Sequence, residues 1–315
     1  PIARDSRWVG EWAVTIFVRV YVDDFTFQVT GTAAYVVQAL LELVSSTVHA
    51  LQSEAELLIA RAKTCIVASD PGLGRQVAEA VSAGCGQHQL AVRQLGLDYS
   101  AGRRLRQNVR RKRLGNLNKR MWKFLGLRKW GRRKLAPRVF KTAANSSICH
   151  AADVTGVPPR LLDQFRKLAA KTVKCKGGGA SKTIALHVAP VRRLDPAYVA
   201  CVGPIKRWAS RAWRATDAIT LKMQKVWLAD ISRMAPALIA EDQKAIWSQV
   251  GGGCSALLAT LARIGWKSRS AFCWTTHRGR SIDLRSDPPA LVAELADGAV
   301  EDWLWRGVAH RHDCL

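Results

Sequence analysis

Two short runs of alternating apolar residues flank a pair of aspartates near the start of the chain. Every second residue is apolar over positions 18–22 and again over positions 25–29, on either side of Asp23 and Asp24. A period of two is typical of strands that bury one face. The sequence therefore predicts a β-hairpin over residues 13–30 with two adjacent carboxylates at its tip.

The N-terminal third of the chain mixes strand and helix patterns. Apolar residues fall on one helical stripe over residues 32–53, and Pro71 opens a second helical pattern over residues 71–84. Strand-like segments are predicted at residues 57–70 and 88–102. This order of strands and helices predicts an α+β fold.

Positive charge is concentrated in one segment, residues 101–141. The whole chain has 49 Lys+Arg against 24 Asp+Glu, a formal net charge of +25. Within the segment there are 17 basic residues and no acid, so the rest of the chain carries only +8 (25 − 17). An apolar helix face is predicted here from the spacing of Leu105, Val109, Leu117, Met121 and Leu125. The remaining faces of this helix are basic and predict contact with a polyanion.

The predicted contacts with nucleic acid are the basic residues of this segment and two tryptophans whose indoles can stack on bases. They are Arg103, Arg104, Arg106, Arg110, Arg111, Lys112, Arg113, Lys119, Arg120, Trp122, Lys123, Arg128, Lys129, Trp130, Arg132, Arg133 and Lys134. A solvated helix or a localisation signal is the alternative explanation of the same charge.

The remaining C-terminal part of the chain is nearly neutral and rich in tryptophan. Its patterns predict mostly helices, including one long helix from Ile205 to about Met234 that Pro236 ends. Tryptophans at helical spacing predict core positions for Trp208, Trp213, Trp227, Trp247, Trp266, Trp303 and Trp305. The composition divides the chain into three predicted domains, 1–100, 101–190 and 191–315, and assigns no function to the last.

Cysteine usage and hydropathy bear on the compartment. The eight cysteines are scattered and form no C-x-x-C pair, so neither a disulfide-linked partner nor a structural zinc site is expected. No apolar stretch reaches the roughly 18 uncharged residues typical of a membrane span. We therefore expect an intracellular protein without a membrane partner, nuclear or cytoplasmic.

The aspartate pair has two interpretations. Aspartate is a common turn residue, so Asp23 and Asp24 can serve only to end a strand. A tight turn also holds carboxylates where a divalent cation such as Mg²⁺ or Mn²⁺ can bind, and phosphoryl transfer uses two such ions about 4 Å apart. The pair by itself leaves both interpretations open.

The residues around the pair resemble one family. The tetrapeptide YVDD at positions 21–24 is similar to the Y-x-D-D motif of reverse transcriptases (RNA-directed DNA polymerases), in particular the retrotransposon and group II intron branch. Lys63 follows in a Lys-Thr segment similar to the family's motif D. Leu95 and Gly96 lie in a segment similar to its primer-grip strand, motif E. The resemblance covers residues 13–100 well and residues 101–190 loosely.

The resemblance implies a partial polymerase palm, a basic thumb-like helical region and nucleotidyl transfer to a primer 3′-hydroxyl. Asp23 and Asp24 would hold Mg²⁺ or Mn²⁺, and Lys63 would act as the acid for the leaving pyrophosphate. The primer end and the incoming nucleotide would contact Tyr21, Leu95 and Gly96. The implied partners are an RNA template, a DNA primer and a dNTP.

Two parts of the family's active site have no counterpart in this sequence. Another metal-binding aspartate (motif A) and the segment that positions the template (motif B) lie upstream of the hairpin, where only 22 residues precede Asp23. Asp5 is the sole upstream aspartate and has no apolar strand around it, and Ala60 stands where many relatives carry Asn. A missing carboxylate weakens both metal positions. We therefore expect weak cation binding and an inactive, truncated fragment of a reverse transcriptase.

Two further function classes fit the same composition. A basic module without chemistry would bind RNA or DNA through phosphates at residues 101–141. A basic surface can also bind anionic membranes. Metal-dependent activity distinguishes the polymerase from the binding module, whereas a strong salt dependence is expected of both.

Overall fold

The computed structural model describes residues 6–9, 14–21, 24–60, 63–81, 87–94, 97–99, 101, 107–129, 134–173 and 181–312. The chain forms two units, Pro1–Arg106 and Gln107–Leu315. Helices predominate, and the described residues add small antiparallel sheets, so the predicted α+β fold is confirmed. The second unit includes most of the predicted basic region together with the whole Trp-rich region. The three-part domain division stays a prediction.

A three-stranded antiparallel sheet carries the aspartate pair. Strands β1 (Ser6–Val9), β2 (Thr15–Tyr21) and β3 (Asp24–Thr30) pair in sequence order. Tyr21 lies opposite Asp24, so positions 22 and 23 connect the two strands. The hairpin predicted from the alternating pattern is therefore confirmed.

Helix α1 (Ala33–His49) follows the hairpin and continues into a π-helical turn (Ala50–Glu54). Within these 22 residues, an 18-residue window has a mean hydropathy of 1.3, enough by length and composition alone to cross a membrane. Glu42 interrupts the uncharged run, but this criterion allows up to two charged residues, so the segment meets it although no uncharged stretch of about 18 residues is present. Core helices of soluble proteins and signal sequences meet the same criterion, so this finding alone assigns no membrane.

The rest of the first unit has little regular structure among its described residues. Helix α2 (Pro71–Ala80) is capped by Asp70, whose carboxylate accepts the Leu73 N–H at 2.8 Å. Strands β4 (Val92–Gln94) and β5 (Leu97–Tyr99) form a short hairpin. The described part of the strand predicted at 57–70, residues 57–60 and 63–70, forms no strand: Leu58 is 98% exposed, and the sole β pairing of these residues is an isolated bridge at Ile66.

The second unit is built mainly from helices. They are α3 (Asn108–Lys129), α4 (Leu135–Val139), α5 (Ser146–Ile148), α6 (Ala152–Thr155), α7 (Pro159–Thr172), α8 (Lys182–His187), α9 (Pro196–Trp213), α10 (Asp217–Ile239), α11 (Gln243–Ser248), α12 (Gly253–Ile264) and α13 (Pro289–His312). A π-helical turn (Phe140–Asn145) joins α4 to α5. Strands β6 (Lys267–Ser268), β7 (Cys273–Thr275) and β8 (Ser281–Asp283) form a small antiparallel sheet.

Helix α9 lies at the centre of this unit, where it packs against α6, α7, α12 and α13. The prediction of one helix from Ile205 to Met234 was wrong, because α9 ends at Trp213 and α10 begins at Asp217. The break follows from Thr216, whose extended backbone starts a new helix as its N-cap.

A buried ion pair ties α7 to the start of α9. Arg166 donates to both carboxylate oxygens of Asp195, at 3.1 and 2.8 Å, and to the Thr183 hydroxyl at 2.7 Å. Asp195 also accepts the Ala197 N–H at 2.9 Å and so caps α9. Burial raises the pKa of the Asp195 carboxyl, and Arg166 and the Ala197 amide act in the opposite direction. These three side chains therefore fix α7, α8 and α9 to one another.

A second buried cation, Arg263 of α12, has no carboxylate partner among the described residues. Its guanidinium lies 4.2 Å from the ring centroid of Trp247, donates to the Val157 carbonyl at 2.6 Å and approaches the Cys201 sulfur at 3.7 Å. Its Nε is buried without a hydrogen-bond partner. Burial lowers the pKa of Arg263. This charge is held by an aromatic face, a carbonyl and a thiol.

The tryptophans of the second unit divide into buried and exposed groups. Trp227, Trp247 and Trp266 are buried as predicted, and Trp208 and Trp303 are half-buried. Trp213 and Trp305 are 45% and 36% exposed, so their predicted core positions are wrong. Trp213 is the last residue of α9, and Trp305 lies on α13 next to the buried Leu304, so helical spacing alone did not identify which side of each helix packs.

Candidate nucleic-acid interface

Helix α3 has an apolar face that packs against other helices of the second unit. Leu114, Leu117 and Met121 are buried, and the helix contacts α4, α5 and α7. Phe124 stacks edge-to-face on Phe140 with ring centroids 5.7 Å apart. This packing fixes which side of α3 faces solvent.

Three of the arginines predicted to contact nucleic acid form hydrogen bonds with the protein itself. Arg110 is 6% exposed, and it donates to the Thr155 hydroxyl at 2.7 Å and to the Gly156 carbonyl. Arg113 reaches the Ser147 carbonyl at 3.4 Å, and Arg128 reaches the Lys171 carbonyl at 3.0 Å. Arg110 is therefore removed from the predicted interface, because burial keeps its guanidinium from a phosphate. Arg113 and Arg128 each use part of their guanidinium for a hydrogen bond within the protein.

The opposite face of α3 is exposed and basic. Between Asn108 and Lys129 there is no acid, and the exposed basic side chains are Arg111, Lys112, Lys119, Arg120, Lys123 and Lys129. At a rise of about 1.5 Å per residue, the distance along the helix from the first to the last is about 27 Å. We call these six residues, with Trp122, the α3 surface. A polyanion of several phosphates could extend along it.

Trp122 is the most exposed tryptophan among the described residues, at 69%. The Lys123 ammonium lies 5.5 Å from its ring centroid, which is within the range of a cation–π contact. An indole held on a basic face is the arrangement that stacks an unpaired base while neighbouring cations bind the phosphates.

Several predicted contacts lie outside the described residues. They are Arg103, Arg104, Arg106, Trp130, Arg132 and Arg133. Lys134 is described, is exposed, and immediately precedes α4. The α3 surface therefore contains the described core of the predicted interface.

The predicted catalytic residues belong to separate elements of the first unit. Asp24 begins β3 opposite Tyr21, and Asp23 lies outside the described residues, as do the side chains of Tyr21 and Asp24. Lys63 is exposed, and its amide donates to the Ala60 carbonyl at 2.9 Å. Leu95 and Gly96, also outside the described residues, connect β4 to β5.

The side chains of the predicted metal ligands, Asp23 and Asp24, lie outside the described residues, so the structure does not describe the donor set at the aspartate pair. In the part of the chain that the structure describes, no group of three or more His, Cys, Asp or Glu side chains could hold a metal ion. Two adjacent carboxylates at a turn do not supply the further ligand that a two-metal site requires. We derive no catalytic step through a metal in this chain.

Comparisons with protein-family models, with curated proteins and with solved structures gave no match. The fold class and the α3 surface are thus the findings on which a function can be built.

Proposed function

We propose that this chain is a reverse-transcriptase-like protein of a retroelement that binds nucleic acid through the α3 surface. The observation that supports nucleic-acid binding is the exposed basic face of α3, which has no acidic residue and includes Trp122. Six cations on one helix face, with no carboxylate to compete, favour a phosphodiester chain over a neutral partner.

The polymerase kinship is supported by the order of elements in the first unit. A hairpin with the YVDD tetrapeptide at its tip is followed by α1, by the segment of Lys63 and by the β4–β5 hairpin. This is the order that motifs C, D and E have in the family. In this proposal Asp23 and Asp24 are remnants of a metal site, and Leu95 and Gly96 are remnants of a primer grip. The template, primer and dNTP are the family's partners.

Removing charge from the α3 surface should weaken nucleic-acid binding and its salt dependence together. If all six basic residues contact phosphates, the logarithm of affinity should fall with the logarithm of salt at a slope of about −4 to −5. The triple variant Lys119→Ala, Arg120→Ala, Lys123→Ala should make that slope shallower by about 2 to 3. Fluorescence anisotropy of a labelled 20-nucleotide single-stranded RNA between 50 and 300 mM KCl measures both quantities.

The matched control removes the same charge elsewhere. Lys244, Lys267 and Arg269 are exposed residues of α11 and the region of β6. Their triple alanine variant lowers the net charge equally but should change the slope by less than about 1. Equal loss in the two variants would mean that general charge, and not the α3 surface, binds the RNA.

Primer extension distinguishes the polymerase from a binding module without chemistry. With an annealed RNA template, a DNA primer, dNTPs and either Mg²⁺ or Mn²⁺, we expect the purified 315-residue chain to give no template-dependent product. The reason is that Asp23 and Asp24 alone do not supply the further carboxylate that a two-metal site requires. Product above that of an Asp23→Ala, Asp24→Ala variant would overturn this expectation and establish an active polymerase.

A further inference from the structure

A cavity of about 430 Å³ opens between three helices of the second unit. It is lined by residues of α8, of α9 with the turn before it, and of α13. This volume lies in the range of about 300–1,000 Å³ that is typical of small-molecule sites. The buried side chains of Leu186, Leu194 and Leu304 provide the apolar part of the lining. The cavity shares no residue with the α3 surface.

The cavity is basic toward the N-terminal half of α13. Arg193 pairs with Asp297 of α13 at 2.6 Å. Burial raises the pKa of the Asp297 carboxyl, and Arg193, Arg192 and Lys206 act in the opposite direction. Glu294 is the other acid close to this carboxyl. Three bases therefore face two acids, and this end of the cavity is net positive.

The other end of the cavity is acidic and aromatic. Glu301 and Trp305 lie one turn apart on the same face of α13, and His187 of α8 contacts both. The His187 Nδ1 is 3.7 Å from Glu301 Oε1, and its ring centroid is 5.1 Å from that of Trp305. Burial raises the pKa of Tyr198 to about 12, and Glu301 is the largest electrostatic contribution in the same direction. A carboxylate therefore lies beside an indole and a phenol.

Several features of the lining are not required by the fold. In the described part of the chain, the Tyr198 hydroxyl, the Glu294 carboxylate and the Arg192 guanidinium form no hydrogen bond or ion pair. Gly298 lines the cavity in the middle of α13, where glycine is unfavourable, yet a Cβ there would meet no atom within 4 Å. The ion pair of Asp297 ties α13 to the turn before α9, but it accounts for neither the glycine nor the unengaged groups. A ligand beside the helix backbone would account for both.

The separation of the two ends selects the class of ligand. Asp297 and Trp305 are eight residues apart on α13, about 12 Å along the helix. An α-amino acid carries both its charges on one carbon and is too short to engage both ends. A nucleotide has its phosphate and its base on opposite sides of a sugar. Guanine suits the carboxylate best, because its N1–H and N2 amino group are adjacent donors, whereas the other bases place an acceptor beside the donor.

We propose that this cavity binds a guanine nucleotide. Trp305 would stack on the base, Glu301 would accept its two N–H groups, and Arg192 would bind the phosphate. The inference does not rest on the proposed function, because neither the α3 surface nor the polymerase resemblance enters it.

Isothermal titration calorimetry of the full-length chain with guanosine 5′-monophosphate (GMP) tests the proposal. At pH 7 and 150 mM KCl, GMP should bind at least about tenfold more tightly than UMP, guanosine or ribose 5-phosphate, since each of these lacks one of the three contacts. Ribose 5-phosphate that binds as tightly as GMP would mean that basic charge alone attracts the ligand. That result, or the absence of GMP binding, would overturn the inference.

The two glutamates at opposite ends of the cavity provide a matched pair of variants. Glu301→Gln should weaken GMP binding at least about tenfold, because the amide presents a donor where the base needs an acceptor. Glu294→Gln removes the same charge but should strengthen binding about twofold, because it takes a like charge away from the phosphate. Arg192→Ala should reduce the affinity of GMP to that of guanosine. Effects of the same sign in the two glutamine variants would contradict this placement of base and phosphate.

Filling the cavity from Gly298 gives an independent test. Gly298→Leu should abolish GMP binding without lowering the midpoint of thermal unfolding, because its Cβ meets no atom and leucine favours a helix. Gly307→Leu is the control: this glycine also lies on α13 with no atom within 4 Å of a Cβ, but it does not line the cavity. Equal loss in the two variants would mean general damage to α13 and would refute the site.

The outcomes for this cavity and for the α3 surface are separable. Gly298→Leu should leave RNA affinity and its salt slope unchanged in the anisotropy assay. A chain that binds RNA but not GMP would overturn the cavity inference and leave the proposed function intact. A chain that binds GMP but not RNA would do the reverse.

Discussion

Arg263→Ala is expected to lower the free energy of unfolding of the second unit by about 3–5 kcal/mol. The side chain is buried between Trp247 and, at 5.8 Å, Trp303. Alanine would leave a cavity between these rings and remove the donor to the buried Val157 carbonyl. Guanidinium denaturation followed by tryptophan fluorescence measures the change, because ten of the twelve tryptophans lie in the second unit.

The same geometry predicts that the positive charge of Arg263 contributes less to the free energy of unfolding than the packing of its side chain. No carboxylate among the described residues compensates it, and burial lowers the pKa of Arg263. Desolvating an arginine is costly, so replacing a buried cation with an apolar side chain of similar volume is often close to neutral. Arg263→Met should therefore lose less than about half of what Arg263→Ala loses. A methionine variant as unstable as the alanine variant would contradict this account and assign the stability to the cation itself.

Periodicity in the sequence was sufficient to predict the elements in which one hydrophobic pattern dominates. Alternation on both sides of Asp23 and Asp24 predicted the β2–β3 hairpin, since a strand with one buried face has no other regular pattern. The spacing of Leu117 and Met121 likewise predicted the side of α3 that packs onto the fold. These predictions depend on local repetition, which a sequence displays directly.

Sequence reasoning failed where a partner distant in the chain decides the outcome. The sequence around Arg110 is as basic as that around its neighbours, yet Arg110 is buried. It donates to the Gly156 carbonyl and the Thr155 hydroxyl, about 45 positions away. The carbonyl of Lys171 likewise accepts a hydrogen bond from Arg128, although that contact is exposed. Charge composition locates a basic helix but does not distinguish the cations that stabilise it from those that remain available to a ligand.

The boundary between α9 and α10 shows a different limit. Pro236 was predicted to end the helix, but Pro204 and Pro236 both lie inside helices. Pro236 lies only three residues before the end of α10. The prediction placed a helix end at this proline and none at the N-cap Thr216. Thr216 followed by Asp217 is an N-cap and an acidic first turn, which is the signal that could have located the break.

Breaking the buried Arg166–Asp195 pair is the second change with a large expected effect. Asp195→Asn should destabilise the second unit by about 3–5 kcal/mol, because it leaves a buried guanidinium without its counter-charge. Asp195→Ala should cost about 1 kcal/mol more, since it also removes the cap on the Ala197 amide. Denaturation of the full chain at pH 7 measures both variants.

Lys167, the next residue along α7, provides the control for this pair. It forms an exposed i,i+4 ion pair with Asp163 at 2.9 Å, so Lys167→Ala should cost less than about 1 kcal/mol. The double variant Arg166→Met, Asp195→Leu should recover much of the loss of Asp195→Asn, because it leaves no unpaired charge in the core. If the double variant is no more stable than Asp195→Asn, the pair serves mainly to orient α7, α8 and α9 through Thr183 and Ala197, and its hydrogen bonds rather than its charges hold this part of the fold.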